Sequence, residues 1–327
     1  MKIAVDAMGG DHAPEIVIEA AVNAVNQLDV EIILVGNQEK ITQKLATYTY
    51  PKDKLHIVHT AVEILNEDKP SDVVRSKKDA SMFMGLAMVK QKQADAFVSA
   101  GNTGALLMGA LLFVGRIKGV DRPTLAPLMP NDKQGSLLTD AGANVQCRPQ
   151  HLVQFGEMGT IYMQKVMGIQ SPSVGLINIG AEQEKGTDLT KEAYQLMQKA
   201  KFRFVGNVEA RDIPKGDVDV LVCDGFVGNV LLKFLEGLGM TFYQNVKNIF
   251  KSSKVGMFAA LLLKKQLTAF KKKLDYSEQG GAPFLGIDGV VIKAHGSSDA
   301  KAFYHAIRQA KVFAQTGVNE EIKIRFS

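Results

Sequence analysis

Two kinds of apolar stretch alternate along the chain. Short runs such as KIAVD (Lys2–Asp6) and EIILVG (Glu31–Gly36) are separated by longer segments in which apolar positions return at helical spacing. The short runs predict strands there, in LHIVH, at Ala96–Val98, and in TLAPLM, SLLTD, VGLINIG, RFVGN, VDVLVCDG and GVVIKAHG. The longer segments predict helices from near Pro14, over about Asp79–Gln91, from about Thr103 and from near Asp299. Several of the runs are apolar on both faces, as strands are when helices cover both sides of a sheet. The expected architecture is a three-layer α/β/α sandwich with a mixed central sheet, one domain over residues 1–327. Two closely joined lobes are the alternative, although no Ser/Pro-rich linker, repeat or low-complexity tract marks a boundary.

Residues 231–275 break the alternation. LLKFLEGLGMTFYQNVKNIF reads as helix, and KSSKVGMFAALLLKKQLTAFKKKL follows. Val255, Phe258, Ala259, Leu262, Phe270 and Leu274 mark an approximate helical face, widened by Met257 and Leu261. This predicts a helical projection from the sheet domain. Charge sharpens the picture: the formal total is +5, yet eight lysines fall within 247–274, a segment without an acid, so the remainder is net acidic. An apolar face bordered by Lys254, Lys264 and Lys265 suits a dimer interface with its lysines in water, or an anionic membrane touched through Phe258 and Leu262. Without interleaved aromatic rings or arginine forks, the segment argues against nucleic acid.

Hydrophobic residues at 46% and charged residues at 22% are the make-up of a compact soluble protein. Two cysteines, Cys147 and Cys223, give no disulfide framework and fit a reducing cytosol. The start MKIAVDAMGG lacks the regions of a signal peptide, and no apolar run is long enough to span a bilayer.

Chemistry concentrates where strands run into glycine. In VDAMGGDHAPE, Asp6 ends a strand, Gly9 and Gly10 strip the turn of side chains, Asp11 follows, and Pro14 suits the first turn of a helix. Such a junction seats an anion. The spacing is not G-x-G-x-x-G, so the dinucleotide fingerprint is missing. In SAGNTGAL, Gly101 and Gly104 allow close backbone approach while Asn102 and Thr103 offer donors, the alternative being a helix capped by Thr103. In CDGFVGNVLLK, Asp224 leaves a strand and Asn229 starts an apolar helix; a cationic partner, a water-bridged metal and a simple cap are all open for Asp224. In KAHGSSDAKAF, Gly296, Ser297 and Ser298 make an anion cradle and His295 can transfer a proton, against a satisfied histidine beside a capping serine. HExxH, paired CxxC and GxSxG are absent, and no metal site is expected. Cys223, ending an apolar strand, reads as a small buried residue; Cys147 has Arg148 and His151 near it in sequence. The residues alone reach an enzyme handling a small anion and leave its reaction open.

As an ordered set, MKIAVDAMGGDHAPE, SAGNTGALL, NIGAEQEKGT, LVCDGFVGNVLLK and AHGSS closely resemble the bacterial acyl-ACP:phosphate acyltransferases of phospholipid synthesis, from Met1 to about Arg308. The resemblance implies a fold similar to that of isocitrate and isopropylmalate dehydrogenases and of phosphate acetyltransferases. It implies a cytoplasmic homodimer without a cofactor, peripherally associated with the inner face of the membrane. The implied reaction converts long-chain acyl-ACP and inorganic phosphate to acyl phosphate and free acyl carrier protein. The acyl phosphate then goes to a membrane glycerol-3-phosphate acyltransferase. Carried onto this sequence, the catalytic residues are Lys185, His295 and Asn102. Phosphate or substrate falls to Asp6, Gly9, Gly10, Asp11, Gly101, Thr103, Gly104, Asp224, Asn229, Gly296, Ser297 and Ser298. Lys185, in EQEKGT, is the preferred cation for phosphate or the oxyanion, with a solvated loop lysine as the alternative. His295 positions phosphate or protonates the departing sulfur. Inorganic phosphate is already anionic near neutrality, so placement and charge stabilisation outweigh a strong base. Direct transfer without an acyl-cysteine is expected. The lysines of 247–274 suit anionic lipid and an acidic carrier protein equally. A phosphate acetyltransferase acting on acyl-CoA is the alternative, and a nicotinamide-dependent dehydrogenase a more distant one.

Overall fold

The computed structural model describes residues 1–268 and 280–327. Phe270, Lys271, Lys272, Lys273 and Leu274, counted above in the amphipathic segment, lie outside the described residues. The strands form two mixed sheets. The first runs, in spatial order, β3 (Leu55–His59), β2 (Glu31–Gly36), β1 (Lys2–Asp6), β4 (Ala96–Ser99), β12 (Val290–Lys293), β11 (Ala282–Leu285) and β5 (Thr124–Leu125). All its pairs are parallel except those made by β11. The second runs β6 (Leu128–Met129), β7 (Ser136–Thr139), β10 (Val220–Val222), β8 (Ser173–Asn178) and β9 (Arg203–Glu209), with only β6 antiparallel to its neighbour.

Helices connect and cover these strands: α1 (Glu15–Gln27), α2 (Gln38–Leu45), α3 (Pro70–Ser76), α4 (Ser81–Lys90), α5 (Thr103–Gly109), α6 (Pro149–Lys165), α7 (Asp188–Met197), α8 (Gly225–Lys251), α9 (Lys254–Leu262), α10 (Ala300–Gln315) and α11 (Val318–Phe326). The alternation along β1 explains the layers. Ile3 and Val5 pack into a core with Val17 and Ile18 of α1 and Phe303 and Ile307 of α10. Ala4, pointing the other way, shares a core with Phe97 of β4 and Phe83 and Leu86 of α4. Each fully buried side chain of this size contributes about 1.5–3 kcal/mol, so a strand covered on both faces has little tolerance for polar residues. Gly85 lets α4 lie close to β4, since a Cβ there would sit 2.1 Å from the Phe97 ring. The first core continues into the second sheet, through Leu137, Val174 and Val222, to Phe155 and Met158 of α6.

The α/β/α class and mixed pairing expected from the sequence are the ones found, with the strands divided between two sheets. The projection is also present. Of the 27 residues of α8, Gly225, Gly228 and Leu232 are buried, and α9 buries none.

Candidate active site

Because β1, β4 and β12 are parallel neighbours, the residues that follow them emerge on one edge of the first sheet. That edge gathers Asp6–Asp11, Ser99–Gly104 and His295–Ser298, segments far apart in sequence. Asp6 organises them from below. Its buried carboxylate accepts from Ser81 Oγ at 2.6 Å, Ser99 Oγ at 2.7 Å and the Met8 N–H at 3.2 Å. Burial pushes its carboxyl above the ordinary carboxylate range, against these donors. A Cβ at Gly9 would lie 2.4 Å from an Asp6 oxygen, so glycine is required there. Asp6, which the family resemblance implies for phosphate or substrate, is thus tied by its own oxygens to Ser81 and Ser99.

The turns are then tied to one another. Asp11 donates its N–H to the Gly296 carbonyl at 2.9 Å and accepts from Asn66 Nδ2 at 3.0 Å. Asn102 Nδ2 donates to the Asn66 carbonyl at 3.0 Å, and its Oδ1 accepts from the Ala105 N–H at 3.0 Å. Asn102, rather than Thr103, is thus the cap of α5, with Thr103 in the first helical position. The amide oxygen of Asn fits the cap geometry and leaves the Thr103 hydroxyl out of that bond.

Beneath the turns lies Lys293, the last residue of β12 and buried. Its ammonium donates to the carbonyl of Ala100 at 3.2 Å and to that of Ala294, joining the second and third junctions. Burial lowers its pKa to about 8, Lys233 pushes the same way, and Asp11 and Asp6 oppose. His295 sits above it, half-exposed. Its Nδ1 lies 2.8 Å from Ser297 Oγ, and its Nε2 lies 3.3 Å from Lys233 Nζ and 3.7 Å from Glu236 Oε2. Lys233 and Glu236 pair at 2.9 Å. Burial works to raise the Glu236 carboxyl, but the bonds to His295 and Lys233 outweigh it and hold the group below its ordinary range. Lys233 and Glu236 come from α8, which starts at the second sheet and bridges to the first.

The second sheet repeats the device. The parallel neighbours β7, β10 and β8 end at Asp140, Asp224 and the loop carrying Lys185. Asp140 is fully buried and accepts from the N–H groups of Leu125 at 2.9 Å and Asn144 at 2.6 Å, and from Asn144 Nδ2 at 3.0 Å. Burial again pushes its carboxyl up. Asp224 caps α8, accepting from the Val227 N–H at 2.9 Å, so the capping role is the one observed. Asn229 stands in the second turn of α8, beside Gly142, and does not start the helix, because the Asp224 cap sets the beginning at Gly225. Lys185 is exposed and forms no ion pair among the described residues; its carbonyl accepts from Asn178 Nδ2 at 3.0 Å. The structure therefore joins His295, Ser297, Asn102, Asp6 and Asp11 in one hydrogen-bonded neighbourhood and keeps Lys185 on the neighbouring sheet's edge. Ser81, Lys233, Glu236, Lys293 and Asp140 were not singled out from sequence. Lys293 carried a readable signal, a lysine closing an all-apolar strand.

A family model described as "Fatty acid synthesis protein" matches residues 1–321. A phosphate acyltransferase of Alkaliphilus oremlandii is 55% identical over 322 residues, covering 98% of this chain and 96% of the relative. One from Clostridium acetobutylicum is 50% identical, covering 98% of each. The chain belongs to the phosphate acyltransferase family.

Family membership makes it an acyltransferase of lipid synthesis. Among solved structures, a phosphotransacetylase from Streptococcus pyogenes superposes with a TM-score of 0.64 at 18% identity, covering 96% of this chain and 94% of that one. The EutD phosphotransacetylase of Staphylococcus aureus gives 0.62 at 15%, with the same coverages. At such identities the likeness concerns the fold. Within the family's frame the thiols are poor nucleophiles. Burial, with Asp140 and Asp224 nearby, raises Cys147 to about 12 and pushes Cys223 well above its ordinary value. Among the described residues no group of three or more His, Cys, Asp or Glu could hold a metal ion, and no helix is long and apolar enough to cross a membrane. On the projection, Phe258 and Leu262 are 63% and 67% exposed, with Lys254, Lys264 and Lys265 also exposed.

Proposed function

We propose that this phosphate acyltransferase takes a long-chain acyl group from acyl carrier protein to inorganic phosphate, giving acyl phosphate and free carrier protein. The observation that carries the reading is the convergence of three strand ends around Lys293, His295, Lys233 and two serines. Such an edge offers positive charge and backbone donors without a strong base, which suits a nucleophile that is already an anion. An oxygen of monohydrogen phosphate attacks the thioester carbonyl; the new C–O bond forms and the C–S bond breaks. The proton given up by phosphate ends on the thiolate, with His295 Nε2 as the relay. Ser297, Ser298 and the backbone around Gly296 orient phosphate, and Asn102 and Thr103 border it from α5. Lys185, from the loop after β8 on the second sheet, stabilises the tetrahedral oxyanion. No acyl-enzyme is formed.

The whole chain acts as one catalytic unit, in the cytoplasm and as a homodimer. It works against an anionic membrane surface and hands acyl phosphate to a membrane glycerol-3-phosphate acyltransferase. The unburied apolar face of α8 and α9 and its lysine border support that placement. A second reading, phosphate acetyltransfer from short acyl-CoA, is favoured by the fold shared with phosphotransacetylases. The deciding experiment measures thiol release from palmitoyl-ACP with and without inorganic phosphate, alongside direct detection of acyl phosphate, and repeats it with acetyl-CoA. Phosphate-dependent release with one acyl phosphate per thiol is expected from palmitoyl-ACP. Release confined to acetyl-CoA would replace the proposal by the second reading.

A further inference from the structure

A cavity of about 420 Å³ opens between α5 and the loops that precede β5 and α6. Leu107 and Leu111 form its apolar wall, and Arg116, Arg122, Arg148 and Asp121 form its polar one. Its size is that of small-molecule sites, and its lining has their mixture of apolar surface and a few convergent polar groups. Three arginines and one carboxylate line it, and the Arg148 guanidinium also reaches the His151 ring, its Nε donating to Nε2 at 3.3 Å. Asp121 is a weak counterweight: its carboxylate is 3.8 Å from Arg148, and Arg116 is tied to its carbonyl. Arg122 makes no hydrogen bond or ion pair among the described residues. Nearby, burial and then Arg148 hold the His151 imidazole below its ordinary range, with Asp121 opposing and Arg122 adding a smaller push the same way. Planar guanidinium forks match the oxygens of a phosphate ester and bind them in pairs.

The position of the cavity says which phosphate. Leu107 and Leu111 lie on the same helical run that starts at Asn102, about 8–14 Å along it at 1.5 Å per residue. The opposite side is closed by Asn144, which is bonded to Asp140. The cavity therefore adjoins the reaction site without coinciding with it. An incoming inorganic phosphate must reach the thioester carbonyl and gains nothing there. The donor's own arm has to run from the surface to that carbonyl, and it carries an apolar dimethyl section next to a phosphate ester. We propose that the arginine cavity binds the phosphate end of the pantetheine arm of the acyl donor, with Leu107 and Leu111 against its dimethyl section. This rests on the acyl-transfer reading and specifies how the donor is held.

The test is titration calorimetry of the full chain with 4′-phosphopantetheine and with pantetheine, which need no turnover. The wild type is expected to bind the phosphorylated form at least about tenfold more tightly, about 1.4 kcal/mol. Arg122→Ala should remove most of that preference and Arg122→Lys should restore part of it, with unchanged thermal melts certifying the fold. In kinetics, Arg122→Ala should lower the ratio of kcat/KM for palmitoyl-4′-phosphopantetheine over palmitoyl-pantetheine about tenfold. Equal affinity of the wild type for both probes, or a preference untouched by Arg122→Ala and Arg148→Ala, overturns the proposal. So does an effect confined to palmitoyl-CoA and absent with palmitoyl-ACP, which would mean the cavity reads the nucleotide of coenzyme A. Equal weakening of apo-carrier protein, which lacks the arm, would also overturn it in favour of the carrier's acidic surface. If the calorimetric preference holds while phosphate-dependent thiol release fails, the reaction assignment falls and the cavity assignment stands.

Discussion

Lys293 places a cation where water cannot stabilise it, and that has consequences for both activity and stability. The ammonium holds the Ala100 and Ala294 carbonyls, and so fixes the spacing between two of the turns that would cradle phosphate. In the unfolded chain it keeps its proton up to its ordinary 10.5, but in the folded protein only to about 8. Between those values the unfolded state binds more protons, so this residue makes folding more favourable as pH rises through the interval. Cys147, Cys223 and Tyr162 act in the opposite sense, since folding raises their values and stability is lost above their ordinary 9.0 and 10.0. Comparing urea melts of the wild type and Lys293→Met isolates the lysine. The difference should move toward the wild type by about 1 kcal/mol per pH unit above pH 8, and a flat difference would mean that Lys293 titrates as an exposed lysine does. On the proposed mechanism, activity should fall over the same range, because the charge proposed to favour phosphate disappears. His295 acts above that floor, and His295→Ala should lower kcat for palmitoyl-ACP about a hundredfold, the scale of a lost proton relay. The two cysteines should contribute nothing chemical: Cys147→Ser and Cys223→Ala are expected to keep phosphate-dependent thiol release, and mass spectrometry should find no acyl adduct on the wild type incubated with acyl-ACP alone.

At the scale of elements, the helices and strands with strong apolar periodicity were readable, and their arrangement in two sheets was not. The run predicted at Ala96–Val98 is β4 with one residue added, and the helix expected over Asp79–Gln91 is α4 at Ser81–Lys90. Nothing in VGLINIG or VDVLVCDG distinguishes pairing with β7 from pairing with β1, because apolar strands covered on both faces offer the same surface to either neighbour. The glycine junctions were legible because backbone approach leaves a mark in sequence. The side chains that tie them together were not, since the burial of polar Ser81 and the partners of Glu236 depend on contacts from distant segments that no local pattern records. Lys233 shows the limit well. It looks like any solvent-facing helical lysine until the path of α8 brings it to His295. Gly85 is the opposite case, a helix glycine whose reason becomes visible only in the packed layer. With Phe97 pressed against it, Gly85→Ala should destabilise the protein by about 1–3 kcal/mol through overpacking, despite the better helix propensity of alanine. A rise in the urea midpoint would show that α4 can move away from β4 without loss.

Taken whole, the molecule carries its exposed apolar surface on one helical projection that also reaches the candidate site. The inner strands of both sheets are buried on both faces, while α8 and α9 leave Phe234, Leu238, Ile249, Val255, Phe258, Leu261 and Leu262 exposed. Single exposed apolar residues are ordinary, but seven on two consecutive helices suit a contact surface. Exposed lysines on the same described segment, Lys247, Lys251, Lys254, Lys264 and Lys265, suit the anionic counterpart proposed above. The same helix that carries this surface supplies Lys233 and Glu236 to His295, so whatever holds the projection also holds part of the site. Two kinds of contact can be separated by chemistry. Burial of an apolar face in lipid depends on Phe258 and Leu262, whereas steering of an acidic carrier depends on lysines and weakens with salt. Replacing Phe258 and Leu262 by serine should therefore abolish flotation with vesicles containing anionic lipid. The KM for palmitoyl-ACP in detergent-free solution should rise with salt as steeply as in the wild type. Retained flotation would move the apolar face to the dimer interface, and the same variant would then sediment as a monomer. A KM indifferent to salt would remove the carrier from the lysines and leave them to the membrane alone.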